Sequence, residues 1–517
     1  MKYPIGIQTF EEVIMGGYAY VDKTEMIYNL VDTGKYYFLS RPRRFGKSLL
    51  TTTLEAYFQG KKELFKGLAI EPLENDWVEY PVFHIDFSSA DYSNPDMLSN
   101  RLNTYLSLWE EKYGKNEVEV EFGDRLYGVV SRAKEKTGKH VVFLIDEYDK
   151  PLTDTIGMSE VQDANRSLLQ EIYGIMKRAD RYIRFAFLTG VTRYGKLGIF
   201  SAANNPEDIS MVDDYATICG ITEAELHNCF DEEVNAFAQK LNVSKERMYE
   251  LLKVKYDGYH FCNDSEDIYN PFSLLGALKS KTLSNAWFAS GTPSYLAKML
   301  KKKAFDLPSL SNGIDSSAIS MASFGNGEEN VIAALYQSGY LTIKTYDALI
   351  DSYRLGFPNE EVADGFVKYL LVDYMGKGMD EYDSDFIKLK KLVSSDDIDG
   401  FMSQIQLIMS QIPFENNDPK LIEAKFRNMI YLMIRSTGHK VFVEHPVLGG
   451  RIDIYFETDK YVYVIECKRN QPAKDALAQI DIKKYAEKIS SGEKKIVKIG
   501  VDFSTDERNV AEWVMEM

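Results

Sequence analysis

Tyr36-Tyr37-Phe38-Leu39-Ser40-Arg41-Pro42-Arg43-Arg44-Phe45-Gly46-Lys47-Ser48-Leu49-Leu50 is the stretch whose reading decides the fold. The aromatic and apolar residues 36–39 read as a buried strand. Residues 41–46 read as a tight loop, and residues 47–50 as the first turn of a helix. A strand, loop and helix in that order aim backbone N–H groups at an anion. Lys47 is then placed to reach the β- and γ-phosphates, and the Ser48 hydroxyl to ligate Mg²⁺. The full spacing G-x-x-x-x-G-K-[ST] is only half met, because Arg41 stands where the first glycine is expected. The candidate nucleotide-binding residues are Arg43, Arg44, Phe45, Gly46, Lys47, Ser48 and Leu49. A basic surface turn is the competing reading of the same residues.

About a hundred residues further on, Val141-Val142-Phe143-Leu144-Ile145 runs into Asp146-Glu147-Tyr148-Asp149. A buried parallel strand delivers carboxylates in this way to the carboxyl edge of a sheet, where ligands bind in open α/β folds. Asp146 is expected to hold Mg²⁺, and Glu147 to polarise the attacking water as a general base. A strand followed by a solvated acidic turn is the bland alternative. The pairing with Gly46-Lys47-Ser48 favours the functional one. Residues 183–190 form another buried run, ending in Thr189-Gly190-Val191-Thr192-Arg193. Thr189 and Arg193 are candidates for sensing the γ-phosphate, against an equally weighted turn with a surface arginine. Tyr18-Ala19-Tyr20-Val21 alternates like a short strand, and Asp22 is placed to cap the helix that follows. Strands alternating with helices through residue 220 predict a parallel sheet covered on both faces.

The alternation stops after that. Thr222-Glu223-Ala224-Glu225 has the form of a capping box. Tyr256-Asp257-Gly258-Tyr259-His260-Phe261 is a turn rich in aromatics, for which core packing is the default and base stacking the alternative. Residues 331–359 read as helix, strand, loop, strand, the outline of a winged helix. The helix before Gly339 carries no Lys or Arg, which counts against a DNA-reading role.

The last ninety-odd residues hold a second constellation. A helix over 421–435 precedes strands at 441–444, 451–456 and 461–468, the last two joined around Thr458-Asp459-Lys460. Period-2 geometry puts Glu466 and Lys468 on one face. A four-residue hairpin loop, or a bulge, sets Asp453 opposite Glu466, and a three-residue loop does not. In the four-residue register, two carboxylates and an ammonium converge. That set can hold Mg²⁺ on a phosphodiester, with Lys468 positioning water or stabilising charge. Glu423 is a candidate third carboxylate. Gln479, Lys483 and Tyr485 are weak candidates for contacting a phosphate backbone. A solvated charged hairpin is the alternative, disfavoured because Glu466 sits among Val, Tyr and Ile, where a charge needs a partner or a metal.

The chain's 517 residues suggest about three domains, and its net charge of −17 argues against nonspecific coating of nucleic acid. Residues 421–517 are close to neutral, so the acidity lies elsewhere. Cys219, Cys229, Cys262 and Cys467 are scattered without metal or disulfide spacing, which fits a reducing compartment. No signal-like or membrane-spanning apolar run is present, so a cytoplasmic chain with no membrane partner is expected.

Together these stretches resemble the bacterial family of predicted AAA-type ATPases fused to a PD-(D/E)XK-superfamily nuclease-like domain. The resemblance spans nearly the whole chain. It is carried by Tyr20-Val21-Asp22-Lys23-Thr24, by residues 41–48, by Leu144-Ile145-Asp146-Glu147-Tyr148-Asp149 and by Thr189-Gly190-Val191-Thr192-Arg193. Tyr256-Asp257-Gly258-Tyr259 and Arg451-Ile452-Asp453 with Glu466-Cys467-Lys468 complete it. Arg41 matches that family's own loop variant. The resemblance implies an α/β protein with a P-loop parallel-sheet AAA-like core over 1–220. A helical lid and winged-helix-like region follows over 221–365, then a helical connector over 366–420 and a restriction-endonuclease-like α/β domain over 421–517. It maps Asp453, Glu466 and Lys468 onto the D…(D/E)-x-K positions, and Glu423 onto the helical acid.

The expected function is ATP binding and hydrolysis joined to Mg²⁺-dependent cleavage of nucleic acid, DNA foremost, in defence or DNA processing. The alternatives are a nucleotide-gated binding switch whose nuclease-like domain only binds, and a winged-helix DNA-binding regulator. A homo-oligomer stays open, and with it whether Arg43, Arg44 or Arg193 acts in trans.

Overall fold

The computed structural model describes residues 1–194, 206–287, 296, 299–300, 305–322, 324, 330–375, 379–412, 419–439, 441–447, 450–485, 487, 489 and 494–517. The chain forms two compact units, residues 1–287 with 316–359 and residues 288–315 with 360–517.

The first unit is built on a five-stranded parallel sheet. Its strands are β1 (Tyr36–Ser40), β2 (Val82–Asp86), β3 (Val141–Asp146), β4 (Ile183–Gly190) and β5 (Glu207–Asp208), in the order β2-β3-β4-β1-β5. All six residues of β3 are buried, as a central parallel strand requires. This order puts the carboxyl end of β4 between the loop after β1 and the acids after β3. Helix α1 (Lys47–Phe58) leaves the loop. The expected strand at 18–21 does not form. Tyr20 instead packs edge-on against Phe10, with ring centroids 5.2 Å apart. Lys23, not Asp22, is the N-cap of the helix that starts at Thr24; Asp22, one residue earlier, takes the Thr24 N–H at 2.9 Å, and its second oxygen takes the Ala69 N–H at 2.7 Å.

Thr222 and Glu225 form a complete capping box at the start of α2 (Glu223–Leu241). Later, α3 (Val331–Gln337) leads into an antiparallel hairpin of β6 (Thr342–Asp347) and β7 (Ser352–Gly356). Val331, Ala333, Ala334, Leu335 and Gln337 of α3 are all buried, so this helix is a packing element.

The second unit carries three successive helices over 360–409 and then α4 (Pro419–Ser436). Its sheet has the sequential order β8 (Val441–Val447), β9 (Gly450–Glu457), β10 (Tyr461–Arg469), β11 (Lys495–Ser504) and β12 (Asn509–Glu516). Only β10 and β11 run parallel. Their crossover is α5 (Ala473–Ile482), as parallel pairing demands. Gly500 of β11 lets that helix lie directly on the sheet, since a Cβ there would collide with the Ala473 carbonyl and the Leu477 N–H.

Candidate nucleotide and phosphodiester sites

The loop of residues 41–46 is held from beneath. Arg41 is 1% exposed, and its guanidinium donates to the carbonyls of Ser40 (2.9 Å), Ser210 (2.8 Å), Tyr215 (3.2 Å) and Ala216 (3.3 Å). It also lies over the Phe261 ring, 4.2 Å from its centroid. The residue in place of the first glycine is thus a structural tie. Phe45 is buried edge-on against Tyr259 and Phe261, so it can offer a ligand only its backbone. The aromatic turn at 256–261 therefore packs as core, under the loop. Arg43 and Arg44 are exposed. Trp287 donates to the Arg43 carbonyl, and Arg44 lies over Phe272. Positive φ at Arg44 (70°) and Gly46 (91°) curls the loop. Leu49 turns away, packing against the cluster around Phe10 and Phe65.

Lys47 lies inside the loop, 3% exposed, donating to the Arg41 carbonyl at 3.1 Å and lying 3.2 Å from Glu147 Oε1. The Ser48 hydroxyl lies beside the Asp146 carboxylate and helps hold its acidity. Burial, and then the neighbouring Glu147, push Asp146 up to about 6, against the opposing pull of Ser48 and Lys47. Lysine, hydroxyl and carboxylate therefore meet at one point, a donor set that suits a triphosphate with Mg²⁺.

Asp149 received no role from the sequence, yet it organises the neighbouring strand end. It accepts the N–H groups of Val191 (3.1 Å) and Thr192 (2.7 Å) and the Thr192 hydroxyl (2.6 Å). Tyr148 donates to the Thr192 carbonyl and accepts the Tyr194 N–H. A Cβ on Gly190 would collide with both Asp149 and Tyr148. Thr189 is fully buried, and its Oγ1 has no hydrogen-bond partner. Arg193 pairs with Asp208 at 3.3 Å, and its N–H donates to Gln337 on α3. The signal for Asp149 was its place three residues after Asp146, one turn past the strand.

In the second unit the β9–β10 ladder runs from Glu457↔Val462 to Ile454↔Ile465. The loop is therefore the four residues 458–461, and Asp453 and Glu466 are the next residues along their strands. Asp453 Oδ2 accepts the Cys467 N–H at 2.8 Å. Glu466 is 2% exposed, and its Oε2 has no partner. Burial, and then Asp453, raise the Glu466 carboxyl to about 7; burial also raises Asp453. Gln479 of α5 bridges the site, donating to Glu466 and accepting from Lys468. The Tyr485 hydroxyl hydrogen-bonds Gln479 and takes the Arg451 N–H. So Gln479 and Tyr485 belong with the carboxylates, whereas Lys483 is exposed at the end of α5. Glu423 lies on α4, with its side chain outside the described residues. No group of three or more His, Cys, Asp or Glu set to hold a metal occurs among the described residues. Two carboxylates with one orphaned oxygen nevertheless suit Mg²⁺, which often keeps several waters.

Sequence reasoning also missed Glu444 on β8, with a φ of +50°. The β8–β9 ladder pairs Val443 with Ile454 and His445 with Ile452, which puts Glu444 across from Asp453. The signal was its position on the strand beside Asp453.

No helix among the described residues is long and apolar enough to cross a membrane. Residues 4–200 match the family described as predicted AAA-ATPase, and residues 421–513 match the PD-(D/E)XK nuclease superfamily. A protein of Azotobacter chroococcum mcd 1, described as an uncharacterized protein in the vnfD 5′ region, is 32% identical over 524 residues. That match covers all of this chain and 99% of the relative. The chain thus belongs to a family that joins an AAA-ATPase-like domain to a carboxyl-terminal PD-(D/E)XK nuclease-superfamily domain.

Proposed function

We propose that this protein binds and hydrolyses ATP in its first unit and cleaves nucleic acid phosphodiesters, DNA foremost, in its second. The observation that carries the ATPase half is the meeting of Lys47, Ser48, Asp146 and Glu147 at one sheet edge. Lys47 and the backbone N–H groups of residues 43–49 hold the phosphates. Ser48 and Asp146 are the ligands for Mg²⁺, which neutralises charge on the phosphates. Glu147 takes the proton of the attacking water, and Thr189 and Arg193 report on the γ-phosphate.

The pair of buried Glu466 and half-buried Asp453, with Lys468 tied in through Gln479, supports the nuclease half. These carboxylates, with Glu423, are the ligands for a divalent ion that polarises the phosphodiester. Lys468 positions the attacking water, and Gln479 and Tyr485 position Lys468 and Glu466. Four free cysteines support a cytoplasmic setting.

The test is cleavage of labelled single- and double-stranded DNA and RNA with Mg²⁺ or Mn²⁺, with and without ATP, by the wild type and Asp453→Ala. Cleavage lost in the variant establishes the nuclease. ATP turnover without cleavage of any substrate replaces this reading with a nucleotide-gated binding switch.

A further inference from the structure

The rim of the Asp453–Glu466 site carries a charge arrangement that the chemistry above does not use. Glu444, across from Asp453, holds two arginines: Arg427 of α4 at 2.6 Å and Arg451 of β9 at 3.3 Å. Arg427 is also paired with Asp306 at 3.0 Å. Arg451 stands two residues before Asp453 on the same strand, hence on the same face, and is 69% exposed on its side chain. Two cations are thus fully neutralised by two carboxylates at the mouth of a site that is itself acidic.

Glu444 is held in an unfavourable conformation. A left-handed φ is unfavourable for a non-glycine residue and persists where the surroundings impose it. Here it falls at the one position where the β8–β9 ladder skips a pair. Each arginine gives Glu444 one N–H, Arg427 to Oε1 and Arg451 to Oε2, a two-pronged grip that the two free oxygens of a phosphodiester also match. The carboxylate on these arginines therefore occupies the place a phosphodiester would take.

We propose that Arg427 and Arg451 form a clamp for a backbone phosphate of the nucleic acid strand. Glu444 acts as its internal stand-in until the strand displaces it. Displacement turns the Arg451 guanidinium, and the part of Arg427 that Asp306 does not hold, onto the phosphate beside the carboxylates, which offsets their repulsion of it. The proposal rests on the nuclease reading of the second unit. It adds the element that binds the strand.

The test measures binding of labelled 30-nucleotide single-stranded DNA, duplex DNA and RNA to the full chain across a salt series in EDTA. Cleavage kinetics with Mn²⁺ are followed in parallel. Arg451→Gln changes an exposed side chain. It is expected to weaken binding of the preferred probe about 3- to 10-fold and to lower the single-strand salt slope by about 0.7, raising KM with kcat retained. Glu444→Gln frees the clamp, and is expected to tighten binding several-fold and lower KM. A merely structural role for Glu444 cannot produce that gain. If the wild type binds and cleaves a probe while both variants keep its affinity, salt slope and KM, the clamp is overturned and the nuclease reading stands. If the wild type neither binds nor cleaves any probe, both fall together.

Discussion

The ammonium of Lys47 lies 3.2 Å from the carboxylate of Glu147, joining the phosphate loop to the acid run at the end of β3. On the proposed ATPase reading, the phosphate-binding cation and the candidate base hold each other, so nucleotide parts them. Lys47→Ala should abolish ATP binding. Glu147→Gln should keep or tighten binding, because it frees Lys47, while lowering turnover at least about 100-fold. Fluorescent-nucleotide titration and phosphate release separate the two effects. Hydrolysis unaltered in Lys47→Ala would overturn the loop assignment.

Restoring the usual first glycine should harm this protein. Arg41→Gly removes the guanidinium donor from the carbonyls of Ser210, Tyr215 and Ala216, of which Tyr215 keeps only the Ile218 N–H. A loss of more than about 3 kcal/mol is expected by denaturant unfolding. Arg41→Lys, with a single point of donation, should recover only part of it.

Asp149 should behave as a structural acid. Asp149→Ala strands two backbone N–H groups and the Thr192 hydroxyl, costing about 3 kcal/mol in unfolding free energy. ATP turnover should fall with the folded population, and cleavage by the second unit need not follow it.

The proton on Glu466 gives a pH signature. Its carboxyl is raised from 4.5 to about 7 in the folded chain, so the folded state holds that proton more tightly than the unfolded one. Its contribution to metal-free stability is therefore full below pH 4.5 and is lost as pH rises through about 7. The difference between wild type and Glu466→Gln in EDTA should show this slope. Mn²⁺ binding near pH 6 should release protons, detectable by calorimetry in buffers of different ionisation enthalpy.

Gln479→Ala should cut cleavage roughly 10- to 100-fold by releasing Lys468 and Glu466 from each other. The kcat profile against pH should shift with it. A mere packing role would leave the profile in place.

Strands β1 to β4 of the first unit were legible in the sequence because each is a mostly apolar run, whereas β5, the two acids Glu207–Asp208, carries no such signal. In the second unit, the face shared by Asp453 and Glu466 depended on a hairpin loop of four residues. Glu457↔Val462 shows that loop, a length that composition alone does not reveal. Arg41 looked like a defect in a motif because its partners lie some 170 residues away in Ser210, Tyr215 and Ala216. Glu444 was silent for a different reason. Its role depends on a backbone angle and on cations from another helix and strand, and neither leaves a local pattern.

The phosphate loop is completed by parts of the chain made much later. Phe45 needs Tyr259 and Phe261, the Arg43 carbonyl needs Trp287, and Pro42 lies where a Cβ on Gly339 would come within 2.6 Å. Translation proceeds at about 5–20 residues per second, so roughly 15 to 60 seconds pass between synthesis of the loop and synthesis of its last support. A nascent chain stalled before residue 339 carries the loop without its full support. On the proposed ATPase reading, ATP is captured only once the returning segment 316–359 has closed the first unit, so its binding dates the completion of that unit.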